Sequence, residues 1–192
     1  MFKSVACAAS GCTRYALENS LWCLLHSPDS EKQLALLLQS LQEAPRHRDL
    51  IINDASVRQL NLSKSHLSTC DFSRCLFEDV DFSQARLHAC FFDFCLFIRC
   101  RFTTGDTRHS VFAGSKFIDC NFVDSLLIHT NFMGVDIREA DFSSSDLYWA
   151  NFSSSHLIDV KFNNCNLKNA DFRYAQRQRV SFRYSNYEEA SF

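Results

Sequence analysis

From residue 62 to residue 192 every fifth position is large and mostly apolar, and the register never slips. Of these 27 positions, 16 are Phe and 7 are Leu; Thr107, Ile137, Arg177 and Tyr187 are the exceptions. Two residues before each centre lies a small slot, holding 7 Cys, 7 Ser, 6 Ala, 4 Val and one Thr, with Gly105 and Leu60 completing the set. A period of five fits neither a helix of 3.6 residues per turn nor a long flat strand. It demands a chain that turns every five residues, with the centre and its slot pointing inward and the other three positions outward. Such a coil cannot bury its apolar side alone and must stack on the next, which makes a solenoid.

The units Ala140-Asp141-Phe142-Ser143-Ser144, Ala150-Asn151-Phe152-Ser153-Ser154 and Ala170-Asp171-Phe172-Arg173-Tyr174 closely resemble the A(D/N)LXX motif of the pentapeptide repeat family. The resemblance covers residues 57–192. It implies an all-β fold, a right-handed quadrilateral parallel β-helix with four units per square coil. At ~4.8 Å per stacked strand the rod would be roughly 32 Å long. Folded onto four faces, the sequence places Phe at every centre of two opposed faces from Phe72 onward, while the other two faces carry mainly Leu on one and Phe then aliphatics on the other. Large and medium residues paired across a layer are what a close-packed core needs.

The 10 cysteines fall into two groups. Seven occupy the small slot (Cys70, Cys75, Cys90, Cys95, Cys100, Cys120 and Cys165), where a free thiol packs as a small hydrophobe. A reducing compartment follows, and the expected location is cytoplasmic. The remaining three lie in Cys7-x4-Cys12-x10-Cys23-x2-His26. Cys3His is a common structural zinc set, and two close pairs separated by a loop let the chain wrap one ion. The competing reading is ordinary buried thiols, with His26 capping the helix that follows. We expect a structural zinc held by Cys7, Cys12, Cys23 and His26 within a segment spanning residues 1–27.

Residues 28–56 read as a capping helix and connector. Ser27-Pro28-Asp29-Ser30 supplies N-cap candidates, and Ser30 with Gln33 fits a capping box. Leu34, Leu37, Leu38 and Leu41 then form one apolar stripe, and Pro45 closes the helix. The stripe is expected to seal the N-terminal end of the solenoid near Val57 and Leu60.

Function must reside on the outward positions. No nucleophile elbow, HExxH, Walker or GxGxxG motif is present, and an enzyme is not expected. Two patches are candidate partner surfaces. One contains Phe91, Phe94 and Ile98, with Leu76, Leu96, Val111 and Ile118 beside them; the alternative is that the N-terminal segment covers it. The other contains Leu126, Ile128, His129, Tyr148 and Trp149, where twenty-residue spacing stacks one coil on the next; the alternative is stacking that merely stabilises the ladder. His109 and His129 share a track and should stack, as a surface ladder rather than a metal site.

The leading expectation is a non-enzymatic protein-binding rod whose partner is an unidentified protein. Quinolone-resistance members of the resembled family mimic DNA and bind gyrase, which needs a strongly acidic rod. Residues 57–192 carry 16 acidic and 15 basic residues, so mimicry of a duplex is poorly matched. Residues 1–56 carry five basic and six acidic residues, so nucleic-acid binding through the zinc segment and the basic C-terminal end (Arg173, Arg177, Arg179, Arg183) is also disfavoured. Arg177 in a core slot points to a frayed last coil, or to a guanidinium reaching solvent or a partner. Family members that dimerise through this end make a homodimer plausible. No stretch approaches the ~18 apolar residues of a membrane span, and the Val5–Ala9 run is too short for a secretory signal.

Overall fold

The structure, a computed structural model, describes residues 5–17 and 20–192. Residues 1–4 and 18–19 of the expected zinc segment therefore lie outside the described residues. After the N-terminal segment comes α1 (Ser30–Glu43), followed by three-residue strands. They are β1 (Arg46–Arg48), β2 (Ser56–Arg58), β3 (His66–Ser68), β4 (Leu76–Glu78), β5 (Arg86–His88), β6 (Leu96–Ile98), β7 (Lys116–Ile118), β8 (Asp136–Arg138), β9 (His156–Ile158) and β10 (Gln176–Gln178). All their pairings are parallel and offset by twenty residues, for example Phe77 with Phe97 and Phe97 with Phe117. Strands β1, β3 and β5 form one face and the other seven form a second. Isolated bridges on the tracks of Asp71–Phe91–Val111 and Asp81–Arg101–Asn121 supply the remaining two faces. The result is a four-sided parallel β-solenoid of about seven turns.

Each side ends in a corner, and the corner has one conformation. From Asp49 to Tyr184 every fifth residue has positive φ, and only Gly114 and Gly134 among them are glycines. Left-handed backbone is costly for a side-chain-bearing residue, so the interlocking coils must hold it. They do so with bonds such as Phe92 N–H to Val111 O (2.7 Å) and Val111 N–H to Cys90 O (2.9 Å), one to the coil ahead and one to the coil behind. Gly114 has a separate cause: a Cβ there would come within 2.6 Å of the Phe94 ring.

The core is built of stacked rings. Phe72, Phe92, Phe112, Phe132, Phe152, Phe172 and Phe192 form one column, with neighbouring centroids such as Phe132 and Phe152 4.7 Å apart. Phe82 to Phe182 form the opposed column, as close as 4.5 Å at Phe102 and Phe122. Rings of the two columns meet edge to face, as at Phe122 and Phe132 (90°). Stacks and T-contacts add roughly 0.5–1.5 kcal/mol each to the burial of the rings themselves.

Three features of the N-terminal end were hidden in the sequence. The ladder already includes β1, upstream of residue 57, because Leu50, Ile52, Ala55 and Val57 fill the inward positions without a Phe or Cys to mark them. His47 stands at the first centre position but turns away from the core. Its Nε2 reaches the carbonyls of Ser40 (3.1 Å) and Ala44 (2.9 Å), tying β1 to the C-terminus of α1. The capping box is not formed as expected: Asp29 is the N-cap and makes no side-chain cap bond. Ser27, three residues earlier than the anticipated Ser30, donates its hydroxyl to Gln33 Oε1 at 2.8 Å and accepts the Asp29 N–H. The apolar stripe seals the solenoid, with Leu41 buried and Leu34, Leu37 and Leu38 packed on the core.

Arg177 does not fray the last coil. Strand β10 stays in register with β9, and the guanidinium swings out over the Phe192 ring at 4.5 Å, a cation–π contact.

Candidate metal centre and exposed ring ladder

A short hairpin and a following turn bring four ligand atoms together. Ala6 and Tyr15 pair antiparallel, Cys7 N–H bonds Arg14 O (2.9 Å), and the reversal passes through Gly11 with φ +75°. Cys12 N–H bonds Ala9 O within that turn (3.0 Å). Downstream, the N–H groups of His26 and Ser27 both close on Cys23 O, so Cys23 and His26 share one turn. The Sγ atoms of Cys7, Cys12 and Cys23 and a ring nitrogen of His26 then all lie within 4.8 Å of one another.

The spacings fit a tetrahedral ion. Cys12 Sγ to Cys23 Sγ is 3.9 Å, and His26 Nδ1 lies 3.5 Å from Cys7 Sγ and 3.4 Å from Cys23 Sγ. Metal–sulfur bonds of ~2.3 Å and metal–nitrogen bonds of ~2.0–2.1 Å at tetrahedral angles give edges of about 3.8 and 3.6 Å. Cys23 N–H also points at Cys7 Sγ (3.3 Å), the kind of donor that steadies a thiolate. Burial pushes the Cys7 thiol up, but the backbone groups of Cys23 and Ala9, with His26 and Cys23 side chains, bring it down to about 6. Burial raises Cys23 instead. Cys7 and Cys23 are buried, Cys12 is half-buried and His26 is exposed.

This knuckle is fastened to the solenoid by charge. Arg14 Nε reaches Asp54 Oδ2 (2.9 Å), while Arg74 reaches both Asp54 oxygens from the next coil (2.8 and 3.0 Å). Burial would raise the Asp54 carboxyl, yet the two guanidiniums outweigh it and hold it below its usual value.

The second candidate surface is a ladder of rings along one edge. His109 and His129 stack at 5.3 Å and 11°, and His129 and Trp149 at 6.3 Å and 16°. All three occupy left-handed corner positions, which aim their side chains off the edge. Tyr148 stands perpendicular to both His129 and Trp149. Trp149 is 52% and Leu126 42% exposed; Ile128 and Tyr148 are half-buried. In the other patch Phe94 is 68% exposed with its ring over Gly114, Phe91 and Ile98 are half-buried, and Ile118 is exposed. The described residues of the N-terminal segment thus leave Phe94 uncovered.

The slots hold more than small hydrophobes. Cys75, Cys95 and Cys165 donate their S–H to the carbonyls of Ile52, Phe72 and Phe142 on the coil behind (3.0–3.1 Å). Ser115, Ser125 and Ser145 do the same to Phe92, Phe102 and Phe122 (2.6–2.7 Å). Burial pushes the Cys75 thiol up to about 12 and Cys165 to about 11, so both keep the proton they donate. The mixture of Ser and Cys at one slot was the available signal for this bond.

A four-sided pentapeptide coil with an appended Cys3His knuckle defines a class of repeat solenoid. Residues 115–192 match the family described as pentapeptide repeat region, and residues 52–88 match pentapeptide repeats in eight copies; together they span more than half of the chain. The chain belongs to the pentapeptide repeat family. Among solved structures it is similar to HetL, a pentapeptide repeat protein involved in heterocyst differentiation regulation from the cyanobacterium Nostoc sp. strain PCC 7120. That match has 11% identity over 83% of this chain and 93% of HetL, with a TM-score of 0.34. It is also similar to Rfr23 from the cyanobacterium Cyanothece 51142, with 10% identity over 78% and 99% of the two chains and a TM-score of 0.40. A trypsin-treated variant of QnrB1, a plasmid-mediated fluoroquinolone resistance protein, shows 18% identity over 72% and 85%, with a TM-score of 0.35. No curated protein matches. No helix among the described residues is long and apolar enough to cross a membrane.

Proposed function

We propose that the chain is a non-enzymatic protein-binding rod whose docking surface is the ring ladder of His129, Tyr148 and Trp149 with Leu126 and Ile128. One observation carries this reading: aromatic rings stacked in register are held off an edge by a rigid backbone, half or more of the Trp149 surface facing solvent. Exposed Trp and Tyr on a preorganised scaffold lose little entropy on binding and dominate interface energetics. Phe91, Phe94 and Ile98 form a secondary surface. The solenoid is the ruler on which these side chains are mounted.

The N-terminal knuckle binds one structural zinc through Cys7, Cys12, Cys23 and His26. All four tetrahedral positions are supplied by protein, which suits a structural ion rather than a catalytic one. All ten cysteines are free, in keeping with a reducing, cytoplasmic setting. Duplex mimicry is disfavoured by the charge ladders: Arg99 covers Asp79, Lys161 covers Asp141 and Arg179 covers Asp159, so the acidic tracks are interrupted. A second copy would pack on the layer of Phe192 and Tyr187, both exposed, and would show as a sedimentation mass near twice 22.1 kDa.

Affinity capture with the wild type and a folded Tyr148→Ala/Trp149→Ala variant tests the docking surface. The reading expects a protein recovered by the wild type and lost with the variant. Recovery of the same proteins by both would remove the ring ladder from the interface.

A further inference from the structure

The face formed by β1, β3 and β5 differs from every other in how its charge is arranged. Elsewhere on the solenoid, most arginines and lysines sit on carboxylates one coil away, as in Arg74 with Asp54 and Arg101 with Asp81, or two residues away, as in Arg138 with Asp136 and Arg173 with Asp171, and the cations without such a partner (Lys64, Lys116, Arg177, Arg183) do not follow one another on one track. Arg46, Arg48 and Arg86 have no such partner among the described residues, although Arg46, His66 and Arg86 are successive register partners on one track. At ~4.8 Å per coil, two guanidiniums and an imidazole follow one another on this track with no acid between them.

These side chains line a shallow depression of about 400 Å³ together with Ser68 and His88. The three arginines are exposed, while His66, Ser68 and His88 are half-buried. The boundary is set by Asp106, the next residue on the track after Arg86. Asp106 is already claimed by His88 (2.7 Å) and Arg108 (2.7 Å), which with its backbone contact to Arg108 hold it at about 2 despite burial. At the near corner Asp49 accepts the Thr69 hydroxyl. Both neighbouring carboxylates thus pair elsewhere, and none of the three arginines forms an ion pair among the described residues.

We propose that this face binds a phosphate group. Arg46, Arg48 and Arg86 supply planar forks that pair with its oxygens, and the Ser68 hydroxyl adds a donor. A phosphoryl group offers three acceptor oxygens and a charge of about −1.5 to −2 at pH 7, which matches several guanidiniums at once; a lone carboxylate satisfies one. His66 supports the assignment. Burial and the charges of Arg86, Arg46 and His88 now disfavour its protonation, and a bound dianion would reverse that. The site does not depend on the ring ladder: Tyr148→Ala/Trp149→Ala should leave phosphate binding unchanged.

The test follows the imidazole resonances of His66 and His88 while inorganic phosphate is added to the full chain at constant ionic strength. Saturable shifts are expected, with the His66 midpoint moving to higher pH. Arg46→Gln/Arg86→Gln should weaken the affinity at least tenfold at an unchanged melting temperature. Arg86→Lys, which keeps charge but loses the fork, should weaken it severalfold and guards against a folding defect in the double variant. A phosphoserine peptide binding tenfold tighter than inorganic phosphate would assign the group to a protein chain; equal affinity would assign it to a free phosphate compound. A linear, non-saturating drift would overturn the proposal, as would shifts that persist in the double variant. Equal affinity for a glutamate-rich peptide would overturn it too.

Discussion

The knuckle and the solenoid reach a fixed structure by opposite routes. In the knuckle the buried apolar side chains among the described residues are few, Cys7, Ala16, Leu17 and Cys23, while Val5, Tyr15, Leu21 and Leu25 remain exposed. Its order comes from a short hairpin, one turn and four converging ligand atoms. In the solenoid the layers from Phe72 to Phe172 bury large rings almost completely, and each resembles the next. A segment of this length cannot exclude enough apolar surface to offset its own ordering, whereas a stack spreads the cost over many identical layers. With the proposed zinc, one region is held by chemistry at a point; the other is held by area along a line.

The largest effect that could break this contrast concerns the metal. One equivalent of zinc should appear in native mass spectrometry and vanish with Cys23→Ser. A structural zinc contributes roughly 10–16 kcal/mol of apparent binding free energy, so its removal should unfold the knuckle. Hydrogen exchange should then rise across residues 5–27 while the layers from Phe72 to Phe172 stay protected. Simultaneous loss of protection in the coils would show that the regions are not independent, and a metal-free, protected knuckle would sink the zinc assignment.

A smaller effect probes the line. Phe132→Ala removes a fully buried ring that touches Phe112, Phe152, Phe122 and Phe142. Urea unfolding should report a loss of about 3–5 kcal/mol, with metal content unaltered. A loss under about 1 kcal/mol would mean that neighbouring layers relax into the gap, contrary to a close-packed stack.

The smallest effect separates two residues of the same type in the same slot. Ser125 donates to Phe102 O at 2.7 Å, whereas Ser155 Oγ is buried without a partner. Ser125→Ala should cost about 0.5–1.5 kcal/mol, and Ser155→Ala should be neutral or stabilising. Equal costs for the two would mean that the slot selects for size alone.

The parts of this molecule that repeat were legible in its sequence, because periodicity averages over many residues. The ring columns, the slot and the apolar stripe of α1 all follow from residue spacing alone. The convergence of Cys7, Cys12, Cys23 and His26 was legible for a different reason, since Cys and His at short spacings have few other uses. What escaped was decided by single contacts. His47 occupies a core register yet bonds the end of α1, and Ser27 rather than Ser30 meets Gln33. The Arg46–His66–Arg86 track was hidden because its first member precedes the recognisable repeat, so no twenty-residue comparison included it. Phe94 over Gly114 shows the same limit, for neither residue announces the other.

The twenty-residue register makes length changes in this chain a matter of modular arithmetic. Deleting twenty residues removes one whole coil, shortens the rod by about 4.8 Å and leaves every downstream side chain on its original side. Deleting five preserves the core but turns everything downstream by a quarter revolution, so that Trp149 would leave the side it shares with Arg86. Deleting one turns every later centre and slot residue outward, brings outward residues into their places and exposes the rings. Surface designs could therefore be spliced, shifted or rotated in whole units, while the spacing of the units themselves admits no fractional edit.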